Sequence, residues 1–309
     1  MRNKFVFRIV VVAYLFIGMR IFAQTDGYQG NYYCTCADER FFSRLLSLIG
    51  SIHAVDFEDL AEIAVFDLGF TQAQINRLKS IQKVNVYQIE KVHPDILKHF
   101  RTSNQGRQVR GWFAWKPVAI KQALDMFPYI LYLDAGLTVL RPTRDLFKHI
   151  QQNGYFFVNN MCNIEERVTK PVLEAIVYPL PLEQQKLILD KNTLEFDAGF
   201  QGVSRLMYEN YVMPMYRLAS HLELFADDGS AKLGFGAGRH DQVLFSIHAH
   251  LLNPKTKFNS YGWSNLTIDG RPHPINVQWE ASKVTGETTI LVSCDLKKID
   301  YYEKRIRYK

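Results

Sequence analysis

Three carboxylates in this sequence stand where chemistry could be done. Asp134 closes the run Tyr129-Ile-Leu-Tyr-Leu-Asp-Ala-Gly136, Asp197 sits in Phe196-Asp-Ala-Gly199, and Asp241 lies in Arg239-His-Asp-Gln242. In open α/β sheets ligands bind just beyond the carboxyl ends of strands, so an acidic residue placed there projects into a crevice. Gly136 lets the backbone bend and approach a ligand closely. Upstream, Arg110 and Lys116, the latter in Trp115-Lys116-Pro117, supply fixed cations. Blander readings exist for each residue. Asp-Ala-Gly is also a turn sequence. Asp241 can be a helix N-cap, and Lys116 a surface lysine beside a helix-start proline.

These residues carry a resemblance. Leu131-Tyr-Leu-Asp-Ala-Gly-Leu-Thr-Val-Leu-Arg-Pro142 resembles the YLDADxxVL segment of GT-A-fold glycosyltransferases, family 8 especially. It is still more similar to bacterial GT-A-like proteins that carry W-K-P, a helix, then YLDAG. Phe196-Asp-Ala-Gly199 is similar to the FNAG strand of family 8, and His240-Asp-Gln-Val-Leu-Phe-Ser-Ile247 to its DQDxLN helix start. The motifs stand in the right order across Asn31 to Leu252. The resemblance implies transfer of a sugar from a nucleotide-sugar donor, a UDP-sugar first, to a glycan, lipid or protein acceptor, with retention at the anomeric carbon. It implies Lys116 and Arg110 on the diphosphate, Asp134 and Gly136 at the ribose or a metal–diphosphate, and Asp197, Asp241 and Gln242 around the donor sugar and the reaction centre.

The departure from the family pattern lies at Gly136. A D-x-D motif gives a hard divalent cation such as manganese two oxygen ligands; here the second is missing. Asp134 with His273 is the remaining candidate pair, while His248 and His250 on one helix read as structural. Cationic side chains can stand in for the metal. The same departure suits a second function, a catalytically silent GT-A-like domain that binds glycan or a partner protein.

Other segments must position these residues. Asn31–Cys36, Glu62–Gly69, Val84–Ile89 and Tyr129–Leu133 read as strands; Phe41–Ile52 and Gln72–Ser80, capped by Thr71, read as helices. Lys121–Phe127 reads as the end of a helix delivering the chain into Tyr129–Leu133. The alternation predicts an α/β fold with a mostly parallel, Rossmann-like central sheet flanked by helices and right-handed crossovers. Tyr155–Asn159, Thr193–Val203 and Thr288–Ser293 read as further strands. Leu206–Phe225 reads as an amphipathic helix interrupted at Pro214, and 161–192 as an acceptor-side insertion or lid, with Glu165 and Glu166 as a solvated pair or, alternatively, a general base. The domain spans 25–255, and 256–309 is a small extension packed on it.

Composition narrows the function classes. The chain has 309 residues, 47% hydrophobic and 22% charged, with a net charge of +6 concentrated at its ends. No basic stripe interleaved with aromatics runs through the middle, which argues against nucleic acid as a partner. No G-x-G-x-x-G or G-K-[ST] loop is present, which argues against a dinucleotide enzyme or a kinase. Residues 1–24 pair a basic start with an apolar run, the pattern of a signal peptide or an uncleaved N-terminal anchor. Both place the domain outside the cytosol, secreted, periplasmic or anchored as a single-pass type II protein. Cys34 and Cys36 are expected to face apart on a strand and not to bond each other.

Overall fold

The computed structural model describes residues 28–102, 106, 108–238, 240–252, 258–259, 263–268, 271–278, 289–293 and 298–309, with 160–161 and 258–293 by backbone alone. Of two compact units, Met1–Gly30 and Asn31–Lys309, the second carries every element below. The expected leader lies outside the described residues. Among the described residues no helix is long and apolar enough to cross a membrane.

The fold is α/β. Strands β1 (Asn31–Ala37), β2 (Leu60–Asp67) and β3 (Val84–Gln88) alternate with helices α1 (Phe42–Val55) and α2 (Gln72–Lys79). The three strands pair in parallel, as the alternation predicts. Thr71 caps α2 in a reciprocal capping box with Gln74. A short hairpin, β4 (His99–Arg101) and β5 (Gln108–Arg110), precedes helix α3 (Trp115–Met126) and strand β6 (Tyr129–Leu133). All five residues of β6 are buried, and β6 pairs in parallel with β1. Helix α3 ends within one residue of the limit expected for the helix that delivers the chain into β6. Pro117 fits its first turn, where the missing N–H is not needed. At the other end Phe127 is extended, as a residue before proline prefers to be.

Strand β7 (Leu137–Val139) leaves this sheet, and α4 (Arg144–Asn153) leads to β8 (Tyr155–Asn163). Short helical pieces follow, among them α5 (Leu182–Ile188), before β9 (Leu194–Ser204). Strand β9 runs antiparallel to both β6 and β8. The region expected as one helix over 206–225 is instead broken into short turns. A wide π turn at Tyr208–Val212 feeds α6 (Met213–Leu218). Pro214 has no N–H to continue an α ladder, and the wider turn absorbs that loss.

Helix α7 (His240–Leu251) packs on β9. Strand β10 (Phe258–Asn259) closes a seven-stranded, largely parallel sheet of order β10-β8-β9-β6-β1-β2-β3. Strands β11 (Trp263–Ile268), β12 (Arg271–Gln278) and β13 (Thr289–Ser293) form a second sheet with β7. Helix α8 (Ile299–Glu303) and the residues after it bind back onto α1 and the β2–β3 edge. Lys309 N donates to Ser80 O at 2.8 Å, Gln82 N to Arg307 O at 2.9 Å, and Arg307 N to His53 Nδ1 at 3.0 Å. Gly50 makes this docking possible, since a Cβ there would lie 1.9 Å from Tyr302 O.

Cys34, Cys36 and Cys162 are free. Cys34 and Cys36 are two residues apart on one strand, so they share a face rather than facing apart. Both lie in the same buried core.

Candidate active site

Strand register builds the centre of the site. Leu133 of β6 lies opposite Phe200 of β9, so β9 continues past the end of β6. Asp134 N donates to Gly199 O at 2.8 Å, and Gly199 N donates to Asp197 Oδ1 at 2.8 Å. Asp197 is therefore inside an eleven-residue strand, not at a strand end as its sequence suggests. The antiparallel neighbour brings it beside Asp134. A Cβ on Gly199 would stand 2.6 Å from Asp134 Oδ2 and 3.2 Å from Asp197 Oδ1. Only glycine leaves room for both carboxylates.

Helices α3 and α7 bring in Lys116 and Asp241. The Lys116 ammonium lies 3.2 Å from Asp134 Oδ1 and 2.9 Å from Asp241 Oδ2. It is 3% exposed, and the rings of Tyr132, Phe113 and Trp115 stand 5.3, 5.7 and 5.9 Å from it. Tyr132 also donates its hydroxyl to Asp134 Oδ1 at 2.8 Å. The backbone leading into this cluster is strained. Gly111, Trp112 and Phe113 have φ of 53°, 49° and 64°, and His240, against both aromatic rings, has φ of 47°. Left-handed non-glycine residues cost about 1 kcal/mol or more each and gather at functional sites.

Charge balance in the cluster is uneven. Burial pulls the Lys116 ammonium down, but Asp134 and Asp241 outweigh it and hold it above its ordinary value. Burial, reinforced by the charge of Asp134, pushes Asp197 up to about 7. Burial also pushes Asp241 up to about 6 although Lys116 pulls the other way. One ammonium does not neutralise three neighbouring carboxylates. Asp197 and Asp241 are therefore the two carboxylates of the cluster that hold a proton most readily.

Beside this cluster, at the carboxyl ends of β1 and β6, opens a cavity of about 320 Å³. Asp134 to Leu137, Cys36 to Asp38, Phe113 and Trp115 line it, with Arg40, Arg44 and Arg110. Arg110 reaches Asp38 Oδ2 at 3.3 Å and donates to Leu97 O at 2.8 Å; Arg40 reaches the same carboxylate at 2.9 Å. Asp38 also accepts from Arg40 N at 3.0 Å, so it caps the turn before α1 and orients two guanidiniums at once. Arg44 lies over the Phe41 ring, 5.2 Å from its centroid. No carboxylate among the described residues pairs with Arg44. Gly136 opens into the cavity, and a Cβ there would meet nothing within 4 Å.

The structure brings Asp134, Asp197, Asp241, Lys116, Arg110 and Gly136 into one region. Two assignments change. Lys116 is not a cavity-lining residue, because Asp134, Asp241 and three rings enclose its ammonium. His273 does not stand near Asp134. In the second sheet Val277 aligns with Leu291 and Leu291 with Val139, and β12 runs so that His273 lies four residues further from the Asp134 end. At about 3.3 Å per residue that is roughly 13 Å beyond Val139. His250 bonds Leu194 O at 2.7 Å and His248 bonds Leu244 O at 2.9 Å, both structural contacts. Glu165 pairs with Lys232 at 2.8 Å.

Two residues were missed. Glu195, fully buried on β9, accepts from Gln242 Nε2 at 2.6 Å and so fixes the orientation of that amide. Arg44 was missed although its position is a signal. It sits in the first turn of α1, where a positive charge opposes the helix dipole.

The donor set does not suit a divalent metal. Lys116 occupies the space between Asp134 and Asp241, Tyr132 takes the Asp134 oxygen nearest it, and Gly136 offers no oxygen. Among the described residues no group of three or more His, Cys, Asp or Glu side chains could hold a metal ion.

No protein-family model matches the chain. No curated protein matches it either. Among solved structures, an active-site mutant of LgtC superimposes with a TM-score of 0.50 at 10% identity, covering 90% of this chain and 97% of that one. The fold is that of the GT-A glycosyltransferases. The galactosyltransferase LgtC with donor and acceptor sugar analogues is also similar, at TM-score 0.44, 12% identity and coverage of 74% and 73%. So is the Mn/GDP form of core-mannan synthase A from Aspergillus fumigatus, at TM-score 0.41, 13% identity and coverage of 69% and 71%. The cavity lies where the parallel strands β1 and β6 end, and Asp134 is the member of the carboxylate cluster that lines it.

Proposed function

We propose that this chain is a glycosyltransferase that moves a sugar from a nucleotide-sugar donor, a UDP-sugar first, to a glycan, lipid or protein acceptor. One observation carries the reading. In a GT-A fold, two carboxylates hold one buried ammonium and a third stands beside them across Gly199, next to a cavity lined with guanidiniums. The sequence resemblance to family 8 points the same way.

On this reading the nucleoside lies in the cavity against Asp38 and Phe41, and its diphosphate lies toward Arg110, Arg40 and Arg44. Asp134 holds the ribose, and Lys116 holds Asp134 and Asp241 in place rather than touching the donor. The donor sugar extends over Asp197, Asp241 and Gln242. The bond between its anomeric carbon and the diphosphate oxygen breaks and the electron pair leaves with the diphosphate; the acceptor oxygen bonds to the anomeric carbon, and its hydroxyl proton passes to the departing diphosphate. Carboxylates pushed up to about 7 and about 6 exchange protons readily at neutral pH. The pattern of residues 1–24 supports work outside the cytosol, secreted, periplasmic or at a membrane surface.

A screen of UDP-, GDP- and CMP-sugars for hydrolysis or transfer tests the reading. A UDP-sugar is expected to turn over. A nucleotide that raises the melting temperature with no turnover of any donor would favour the silent binding domain.

A further inference from the structure

We propose that this chain meets the charge of its nucleotide's diphosphate with protein cations alone, Arg44 foremost, and takes no divalent ion. The proposal rests on the donor-binding reading above and adds what neutralises the leaving group.

Two independent observations carry it. The first is the state of the carboxylates. A divalent ion needs several oxygen ligands close around it. Asp134 Oδ1 already serves the Lys116 ammonium and the Tyr132 hydroxyl. Its other oxygen lies over Gly199, so close that a single added carbon would clash with it. Asp241 holds the same ammonium from the opposite side, and Asp197 accepts from a backbone amide. A cation is thus built into the place between the carboxylates. A second positive charge there would face the buried Lys116 ammonium at short range, where repulsion is strong.

The second observation is the charge lining the cavity. Arg40, Arg44 and Arg110 line it with two carboxylates, Asp38 and Asp134. Lys116 answers Asp134, and Asp38 answers Arg40 and Arg110 jointly. The cavity therefore carries surplus positive charge. Arg44 has no carboxylate partner among the described residues and sits where the dipole of α1 opposes it. A cation kept in such a place is compensated when an anion binds. A guanidinium forms paired hydrogen bonds with phosphate oxygens, which suits a diphosphate.

The test is titration calorimetry of UDP against the full chain, once in EDTA and once in manganese, with melting curves in manganese alone. The Kd for UDP should differ by less than about twofold between the two conditions, and manganese alone should leave the melting temperature unchanged. Arg44→Ala should weaken UDP by about tenfold in both conditions while melting like the parent. Lys116→Met frees Asp134 and Asp241, so that variant should acquire a manganese-dependent rise in melting temperature. If EDTA abolishes UDP binding and manganese restores it, the proposal is overturned while the donor-binding reading stands. A parent-like Kd for Arg44→Ala also overturns it. Failure of every nucleotide to bind in either condition removes the donor-binding reading and this inference with it.

Discussion

Replacing Asp197 with asparagine should stabilise the protein at alkaline pH. Asp197 is 8% exposed and lies beside Asp134 across Gly199. Burial and that neighbouring charge raise its carboxyl from an ordinary 3.8 to about 7. The folded state therefore binds the proton more tightly than the unfolded chain. Stability from this group is fully present below about pH 4 and is lost as pH rises toward 7, because the unfolded state then ionises freely. At about 1.4 kcal/mol per pH unit, the interval from 3.8 to about 7 amounts to about 4 kcal/mol at pH 8. Asparagine keeps the shape, and its carbonyl oxygen can still accept from Gly199 N. It carries no charge to desolvate. Urea denaturation of parent and Asp197→Asn across pH 4 to 9 checks this. The two should be nearly equal at the acid end, and the variant should lead by a few kcal/mol at the alkaline end. A gap independent of pH, or a less stable variant at pH 8, would refute the charge argument. Donor turnover by the same variant then shows separately whether the negative charge matters for activity.

Lys116→Met should destabilise the fold by roughly 3 kcal/mol, since it leaves two carboxylates without their cation, and more at pH 8 than at pH 5; chemical denaturation at both pH values checks it, and equal losses would speak against the pairing. Gly199→Ala should displace Asp134 and lower turnover at least tenfold, because the new carbon would stand 2.6 Å from Oδ2; a fully active variant would show that Asp134 is not held where the geometry puts it. Glu195→Leu should release the Gln242 amide and reduce kcat more than it raises KM, whereas Glu195→Gln, which still offers a carbonyl oxygen, should recover part of the loss. Removing residues 1–24 should leave a soluble, folded protein; aggregation of that truncation alone would place the segment in the core.

Much of this architecture was legible in the chain itself. The apolar runs of β1, β2 and β6 and the Thr71 cap of α2 are local signals, and the structure places those elements within a few residues of their expected limits. What could not be read was partnership across long sequence distances. Asp197 meets Asp134 only because β9 runs antiparallel beside β6, and nothing near Phe196 encodes that direction. Lys116 reads from the sequence as a cation for the diphosphate; its enclosure instead depends on Asp241, far along the chain. The His273 expectation failed for a related reason. Sequence order says nothing about which end of a second sheet a strand presents to the first.

The docking of residues 299–309 onto α1 has a consequence for how the molecule comes to be folded. Gly50 and its neighbours stay uncovered during synthesis until α8 has been made, although α1 itself is among the first helices produced. The β1–β3 half of the sheet can collapse early, since these strands pair with near neighbours in sequence. Its outer side is sealed last, by a contact spanning most of the chain. An emerging polypeptide would thus carry a preformed cavity and an unsealed flank together, and ligand could shore up the first before the second closes.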